Sequence, residues 1–128
     1  MSYLGNDPLS APTNSVVKTA TKNLADASTT QSITGVGFTP SSVDIIGGIH
    51  ANSVCGSHGM SDGVNTYSFR NTSTTQNQFL SGLIAYLSTA AGAAQQATIT
   101  LTADGCDLAW TKVGAPTGTA NLMLRFHR

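Results

Sequence analysis

The sequence predicts an all-β fold, an antiparallel, jelly-roll-like β-sandwich of about eight strands. Short segments rich in Val, Ile and Thr alternate with turns rich in Gly, Asn, Asp and Ser at fairly regular intervals. No segment carries the apolar period of an amphipathic helix. The 128 residues are enough for one domain with a single two-layer core.

An extended N-terminal arm precedes the predicted sandwich. Pro8 and Pro12 bias their neighbours toward extended backbone, and the surrounding Gly, Asn, Asp and Ser residues favour turns and loops. Burial of so few apolar side chains would not offset the entropy of ordering this segment alone. We therefore divide the chain into an arm at residues 1–15 and a β-sandwich domain at residues 16–128.

The first half of the domain is built from short strands with glycine-rich connections. The predicted strands are residues 16–24, 31–34, 43–50, 54–60 and 64–69. Asp62-Gly63 predicts a turn before the fifth strand. The pair Gly47-Gly48 indicates either a bulge or a place where another backbone comes close.

The second half carries the strongest local signals. The predicted strands are residues 79–88, 98–103, 106–110 and 119–127, with loops at 71–78 and 89–96. Asp104-Gly105 predicts a two-residue hairpin turn. In the last strand, alternation directs Leu122, Leu124 and Phe126 inward. The same alternation places four side chains on the outer face: Asn121, Met123, Arg125 and His127.

Five further side chains are candidates for burial. Trp110 alternates with Leu108 and is predicted to lie in the core. For Tyr67 and Phe69, packing in the core or in an interface is favoured, and stacking on a sugar or base is the alternative. Cys55 and Cys106 could form one disulfide. We expect them to be free and buried, because the first ten residues show no signal peptide that would indicate an oxidising compartment.

Charge is scarce in this chain. Only 9% of the residues are charged, against about 25% in an ordinary soluble domain, and glutamate is absent. Charge keeps freely diffusing proteins apart, so this composition suits a protein packed in an assembly or outside a cell. The six Lys and Arg residues are scattered, and no apolar stretch reaches the ~20 residues of a membrane span. We therefore expect neither nucleic acid nor a membrane as a partner.

The residue types that carry chemistry do not combine into a known site. His50, Cys55, His58 and Asp62 lie close together in sequence, but no Cys-x-x-Cys pair completes a zinc site. Residues 56–59 do not form a Gly-x-Ser-x-Gly nucleophile elbow. The absence of glutamate leaves only aspartates for paired-carboxylate chemistry, and Asp44, Asp62, Asp104 and Asp107 all lie in strand or turn contexts. The sequence therefore predicts a non-enzyme with no catalytic residue, no metal and no cofactor.

Four segments carry a family resemblance. Residues 37–43 resemble the Gly-Phe-x-Pro-x-x-Val opening of small β-domains in structural proteins of tailed bacteriophages. Residues 57–63 are similar to the Ser-x-Gly-Phe-x-Asp-Gly stretch of those domains, and residues 103–110 to their Ser-Asp-Gly-Phe-Thr-Leu-x-Trp hairpin. Residues 3–8 resemble the start of many tail-fibre chains. Met60 and Cys106 stand where that pattern has Phe.

The resemblance implies a virion component on the phage particle. The first hypothesis is a capsid decoration (cement) protein on the head surface that bridges capsomers, with the major capsid protein or another virion protein as partner. We expect it to be a homo-oligomer, either a trimer or a dimer. The alternative is a tail-fibre or tail-tip module that binds a host glycan or receptor. The predicted contact residues are Tyr3, Leu4, Pro8 and Leu9 in the arm, with Met123, Arg125 and His127 as a second, C-terminal face.

Overall fold

The computed structural model describes residues 14–50, 55–71 and 77–128. These residues form ten β-strands. In chain order they are β1 (Ser15–Asn23), β2 (Thr29–Ile33), β3 (Ser42–Gly48), β4 (Gly56–Ser61), β5 (Thr66–Asn71), β6 (Asn77–Ser81), β7 (Ala85–Ala90), β8 (Ala93–Thr102), β9 (Gly105–Val113) and β10 (Thr119–His127). The prediction of an all-β protein is confirmed.

Two antiparallel sheets pack face to face as a sandwich. The larger sheet has the strand order β1-β10-β3-β4-β5-β6, and the smaller has the order β2-β9-β8-β7. Runs of consecutive strands, β3–β6 and β7–β9, lie side by side as meanders. This connectivity differs from the two Greek keys of a jelly roll, so the predicted antiparallel sandwich is found, with a meander strand order.

The structure has ten strands where nine segments were predicted, because residues 79–88 belong to two strands in different sheets. Gly82 separates β6 from β7 and has a φ of 82°, a backbone conformation that favours glycine. Its amide donates to the Thr66 carbonyl in the larger sheet at 2.8 Å. Two residues later, the Ile84 amide donates to the Ala97 carbonyl in the smaller sheet at 2.9 Å. The chain therefore crosses between the sheets within this apolar stretch.

Residues 89–96, predicted as a loop, contain the β7–β8 hairpin and the start of β8. Ala- and Gln-rich composition hides the strand, since neither residue has a strong strand preference. Gln95 is fully buried, and its side-chain amide donates to the carbonyls of Leu24 at 3.1 Å and Asp26 at 2.8 Å. A glutamine whose side-chain hydrogen bonds are all to residues distant in the chain does not indicate a strand in the local sequence.

The core lies between the two sheets, and strands β9 and β10 contribute many of its buried side chains. Leu122, Leu124 and Phe126 are buried as predicted. Trp110 is 2% exposed, and its indole nitrogen donates to the Gln31 side chain at 2.9 Å. Both predictions for these strands are confirmed, because regular alternation on a strand that is paired on both sides fixes the buried face.

The β8–β9 hairpin is confirmed, but its turn lies one residue earlier than predicted. Thr102 pairs with Gly105, so Ala103 and Asp104 form the connection. The Asp104 carboxylate accepts the amide hydrogens of Gly35 at 2.8 Å and Gly37 at 2.7 Å. These bonds hold the loop after β2 against the hairpin. They also keep the pKa of the Asp104 carboxyl below its usual value, the Gly37 amide contributing most.

This carboxylate makes the stability of the fold dependent on pH. Because the pKa is lower in the folded than in the unfolded chain, the stabilisation is present at neutral pH and is lost as pH falls below about 4. We expect Asp104→Asn to lower the melting temperature at pH 7 and to reduce its fall between pH 7 and about pH 3. Thermal unfolding followed by circular dichroism measures both. Asp26→Asn, at an exposed carboxylate, is the control, and an equal change in both variants would contradict the prediction.

Candidate interaction surface

The outer face of the larger sheet is the most distinctive surface of the described residues. Alternation along six strands directs every second side chain away from the core. The strand register aligns the outward side chains into two rows that cross the sheet. The first row is Thr19, Met123, Ile46, His58, Phe69 and Phe79. The second row is Val17, Arg125, Asp44, Met60, Tyr67 and Ser81. We call these two rows the outer face.

Large apolar side chains crowd this outer face. Within the described part of the chain, seven of nine exposed large hydrophobic residues belong to it: Val17, Ile46, Met60, Tyr67, Phe69, Phe79 and Met123. Each is between 45% and 58% exposed. Scattered single apolar residues are normal on a protein surface, but a contiguous patch of this kind marks an interaction site.

Three aromatic rings form a cluster at the β5–β6 end of the outer face. The rings of Tyr67 and Phe79 stack with centroids 5.3 Å apart, and Phe69 meets Phe79 edge-on at 5.1 Å. Such pairs stabilise each other by about 0.5–1.5 kcal/mol beyond the area they bury. The cluster is therefore an ordered apolar projection in contact with solvent.

The exposure of Tyr67 and Phe69 corrects one part of the prediction for them. Neither lies in the core, because the inward positions of β5 are held by Thr66, Ser68 and Arg70. Thr66 and Ser68 are small because β7 crosses β4 and β5 at close range, whereas the Arg70 guanidinium lies over the Tyr86 ring of β7, 3.9 Å from its centroid. Packing in an interface stays a prediction.

The C-terminal side chains predicted to contact a partner lie on or beside this face. Met123 and Arg125 are exposed, and His127 is half-buried at the end of β10. The imidazole of His127 lies 3.5 Å from the carboxylate of Asp44 on the neighbouring strand β3. Met123 and Arg125 therefore belong to a larger apolar surface, with His127 beside it, which sequence alternation on one strand could not reveal.

A hollow lies at the β1–β10–β3 end of the larger sheet, on the side opposite the aromatic cluster, and extends from the outer face into the next cross-strand row. It has a volume of about 610 Å³ and is centred on β10. Its outward lining residues are Thr19, Thr21, Ile46, Gly48, Asn121 and Met123. Glycine is required at residue 48, because a Cβ there would lie 2.5 Å from the carbonyl oxygen of Cys55. Since Gly48 has no side chain, the hollow stays open at this position. Of the two alternatives for Gly47-Gly48, the structure supports a close approach of another backbone.

The residues considered for metal binding do not converge. His50 and His58 are exposed, whereas Cys55 is buried. Asp62 caps a turn, and its carboxylate accepts the Val64 amide at 2.9 Å and the Asn65 amide at 2.6 Å. Among the described residues, no group of three His, Cys, Asp or Glu side chains is placed to hold a metal ion.

Both cysteines are free and buried, which confirms that prediction. Burial raises the pKa of the Cys106 thiol to about 12, with a further contribution from the Asp107 charge. Burial also raises the pKa of the Cys55 thiol, which the backbone hydrogen bond with Ile49 partly counteracts. A thiol that stays protonated is a poor nucleophile and metal ligand, so both side chains act as core packing groups.

Comparison with protein-family models, with curated proteins and with solved structures finds no match to this chain. Within the residues that the structure describes, no helix has the length and apolar character needed to span a membrane. The predicted arm contacts Tyr3, Leu4, Pro8 and Leu9 lie outside the described residues. The geometry of the outer face is therefore the basis of the functional proposal.

Proposed function

We propose that this chain is a structural subunit of a bacteriophage virion, a capsid decoration (cement) protein that stabilises the head by bridging capsomers. The observation that carries the proposal is the apolar outer face. A freely diffusing protein with so little charge and so large an exposed apolar sheet would tend to associate, whereas a subunit buries such a surface permanently. The bacteriophage assignment rests on the sequence resemblance at residues 37–43, 57–63 and 103–110.

The sandwich and the arm have separate tasks in this proposal. The sandwich supplies a rigid body, because buried residues of both sheets form one core. The arm adds contact area on the capsid without enlarging that core. Its apolar residues Tyr3, Leu4, Pro8 and Leu9 bind in grooves between capsomers, where each buried side chain removes apolar area from water.

Attachment to heads tests the proposal. We expect the full chain to co-sediment with purified phage heads that lack it and to raise their thermal stability. Deletion of residues 1–12 should abolish co-sedimentation while leaving the circular dichroism melting curve unchanged, because β1 begins at Ser15. If the full chain does not bind heads, the decoration function is wrong. If the truncated chain binds at the same occupancy, the arm is not the anchor.

The aromatic cluster favours a second candidate function, a tail-fibre or tail-tip module that binds a host glycan. Rings exposed on a sheet can stack on the apolar face of a sugar, and Tyr67 and Phe79 are parallel to within 22°. Immunogold electron microscopy distinguishes the candidates, since label on the head lattice supports the first and label on the tail supports the second. Specific binding on a glycan array that Phe79→Ala abolishes would also favour the second.

A further inference from the structure

We propose that the outer face is covered by the outer face of a second copy of this chain. The two copies are related by a two-fold axis that runs parallel to the strands, above the line between β3 and β4. The inference deepens the proposed function and rests on it in one respect, that the outer face is buried in an assembly. Its occupant is identified by three independent features of that face: area, shape and charge.

The area of the face suits a stable dimer. Six strands at a spacing of about 4.8 Å, with about six residues each at 3.3 Å, give the whole outward surface of the larger sheet an area of roughly 600 Å², of which the two rows are the most apolar part. Two such surfaces in contact would bury on the order of 1,200 Å², which is the lower limit of standard protein–protein interfaces. A single sugar or a short peptide would cover only part of the two apolar rows.

The shape of the face is complementary to itself. The projection formed by Tyr67, Phe69 and Phe79 lies on β5 and β6, and the hollow is centred on β10. In the strand order, β5 and β10 are equally far from the line between β3 and β4, about 7 Å on either side. A two-fold axis on that line therefore places Phe69 and Phe79 of each copy over the Thr19–Met123 side of the other copy's hollow, with Tyr67 beside it. This reciprocal placement is the self-complementarity that isologous interfaces require.

The pairing of side chains across this axis is chemically consistent. A rotation about a strand-parallel axis keeps each cross-strand row opposite itself. In the first row, Met123 then faces Phe69 of the second copy and Thr19 faces Phe79, which are apolar contacts. In the second row, the Arg125 guanidinium faces the Tyr67 ring, a favourable cation–π geometry.

The charges on the face do not oppose its burial. Asp44 already has the imidazole of His127 at 3.5 Å within its own chain, and Arg125 is its direct cross-strand neighbour. The charges of the neighbouring Asp44 carboxylate and Arg125 guanidinium offset each other, so the pair contributes little net charge to a contact. The face therefore presents no uncompensated anion to a second copy.

Sedimentation equilibrium of the full chain tests this inference without any virion component. We expect a dimer in the micromolar range. Phe79→Asp should remove an apolar contact and bury an unpaired charge in the hollow, raising the dissociation constant at least about 100-fold. Thr19→Trp should weaken the dimer as well, because it fills the hollow from the edge strand β1. Val64→Asp is the matched control, since Val64 is the most exposed large hydrophobic residue of the described part of the chain and lies in the β4–β5 turn, outside both rows. The dissociation constant of this variant should be unchanged.

Melting curves recorded by circular dichroism at low protein concentration establish that the variants fold. A full chain that stays monomeric up to about 1 mM would overturn the inference. An unchanged dimer in both Phe79→Asp and Thr19→Trp would also overturn it, because another surface would then mediate association. Loss of head binding with an intact dimer contradicts only the proposed decoration function, whereas head binding by a monomer contradicts only the dimer.

Discussion

Replacing Gly59 by alanine should destabilise the fold by about 3 kcal/mol. Gly59 lies in β4 and is buried against the smaller sheet. A Cβ at this position would collide with the carbonyl oxygen of Ile84, a backbone atom rather than the end of a flexible side chain. Ile84 cannot retreat easily, because it is fully buried and its amide is bonded to Ala97. The two sheets would have to separate locally, which removes packing from the centre of the core.

Gly56→Ala is the matched control for this effect. Gly56 belongs to the same strand, and a Cβ there would lie 3.3 Å from the side-chain amide of Asn71, which can move. Its loss of stability should be below about 1 kcal/mol. Urea unfolding followed by Trp110 fluorescence measures both variants, and equal losses would show that glycine at residue 59 is not required by the close approach.

Replacing Phe126 by alanine should cost about 3–5 kcal/mol of stability. Phe126 is fully buried, and β10 is paired on both sides, by β1 and β3. The cavity could not collapse, because both neighbouring strands fix the position of β10. A domain of this size has a stability of about 5–15 kcal/mol, so the change removes a large share of it.

Phe126→Leu is the graded comparison, because leucine keeps the site apolar and leaves a smaller void. Its loss should be clearly smaller than that of Phe126→Ala. Chemical denaturation measures the free energy of unfolding of both variants. A loss below about 1 kcal/mol for Phe126→Ala would mean that the C-terminal strand does not contribute to the core as the structure indicates.

The sequence was most informative where local signals and tertiary position agree. Strand β10 matches its predicted bounds, because three large apolar residues occupy every second position along it. The β8–β9 hairpin was also predictable, although Asp104 proved to be a turn residue whose carboxylate bonds a distant loop. Such a long-range hydrogen bond is invisible to a rule based on neighbouring residues.

Where strands change sheets, the sequence was ambiguous. An apolar stretch such as residues 79–88 fits one strand or two, and only the crossing at Gly82 separates them. Residues 89–96 have no strong strand preference, and their conformation depends on pairing with β7 and β9. Propensity could not have settled either segment, because the deciding interactions are with residues distant in the chain.

Only a small part of the candidate interaction surface, the outward side chains of β10, was predictable from the sequence. Alternation in β10 assigned Met123, Arg125 and His127 outward. In β5 both faces are plausible from the sequence, and Tyr67 and Phe69 were favoured for burial in the core or an interface. The close crossing of β7 favours the small side chains of Thr66 and Ser68 on the inner face, and the aromatic rings then point outward.

Composition and alternation alone predicted an all-β sandwich with little charge, two buried thiols and a last strand whose Met123, Arg125 and His127 point outward. These features follow from local residue preferences and from the two-residue period of a strand. Tertiary structure alone decided which strands are neighbours. That order assembles apolar residues from six separate strands into one outer face, because strand pairing is fixed by contacts between residues far apart in sequence.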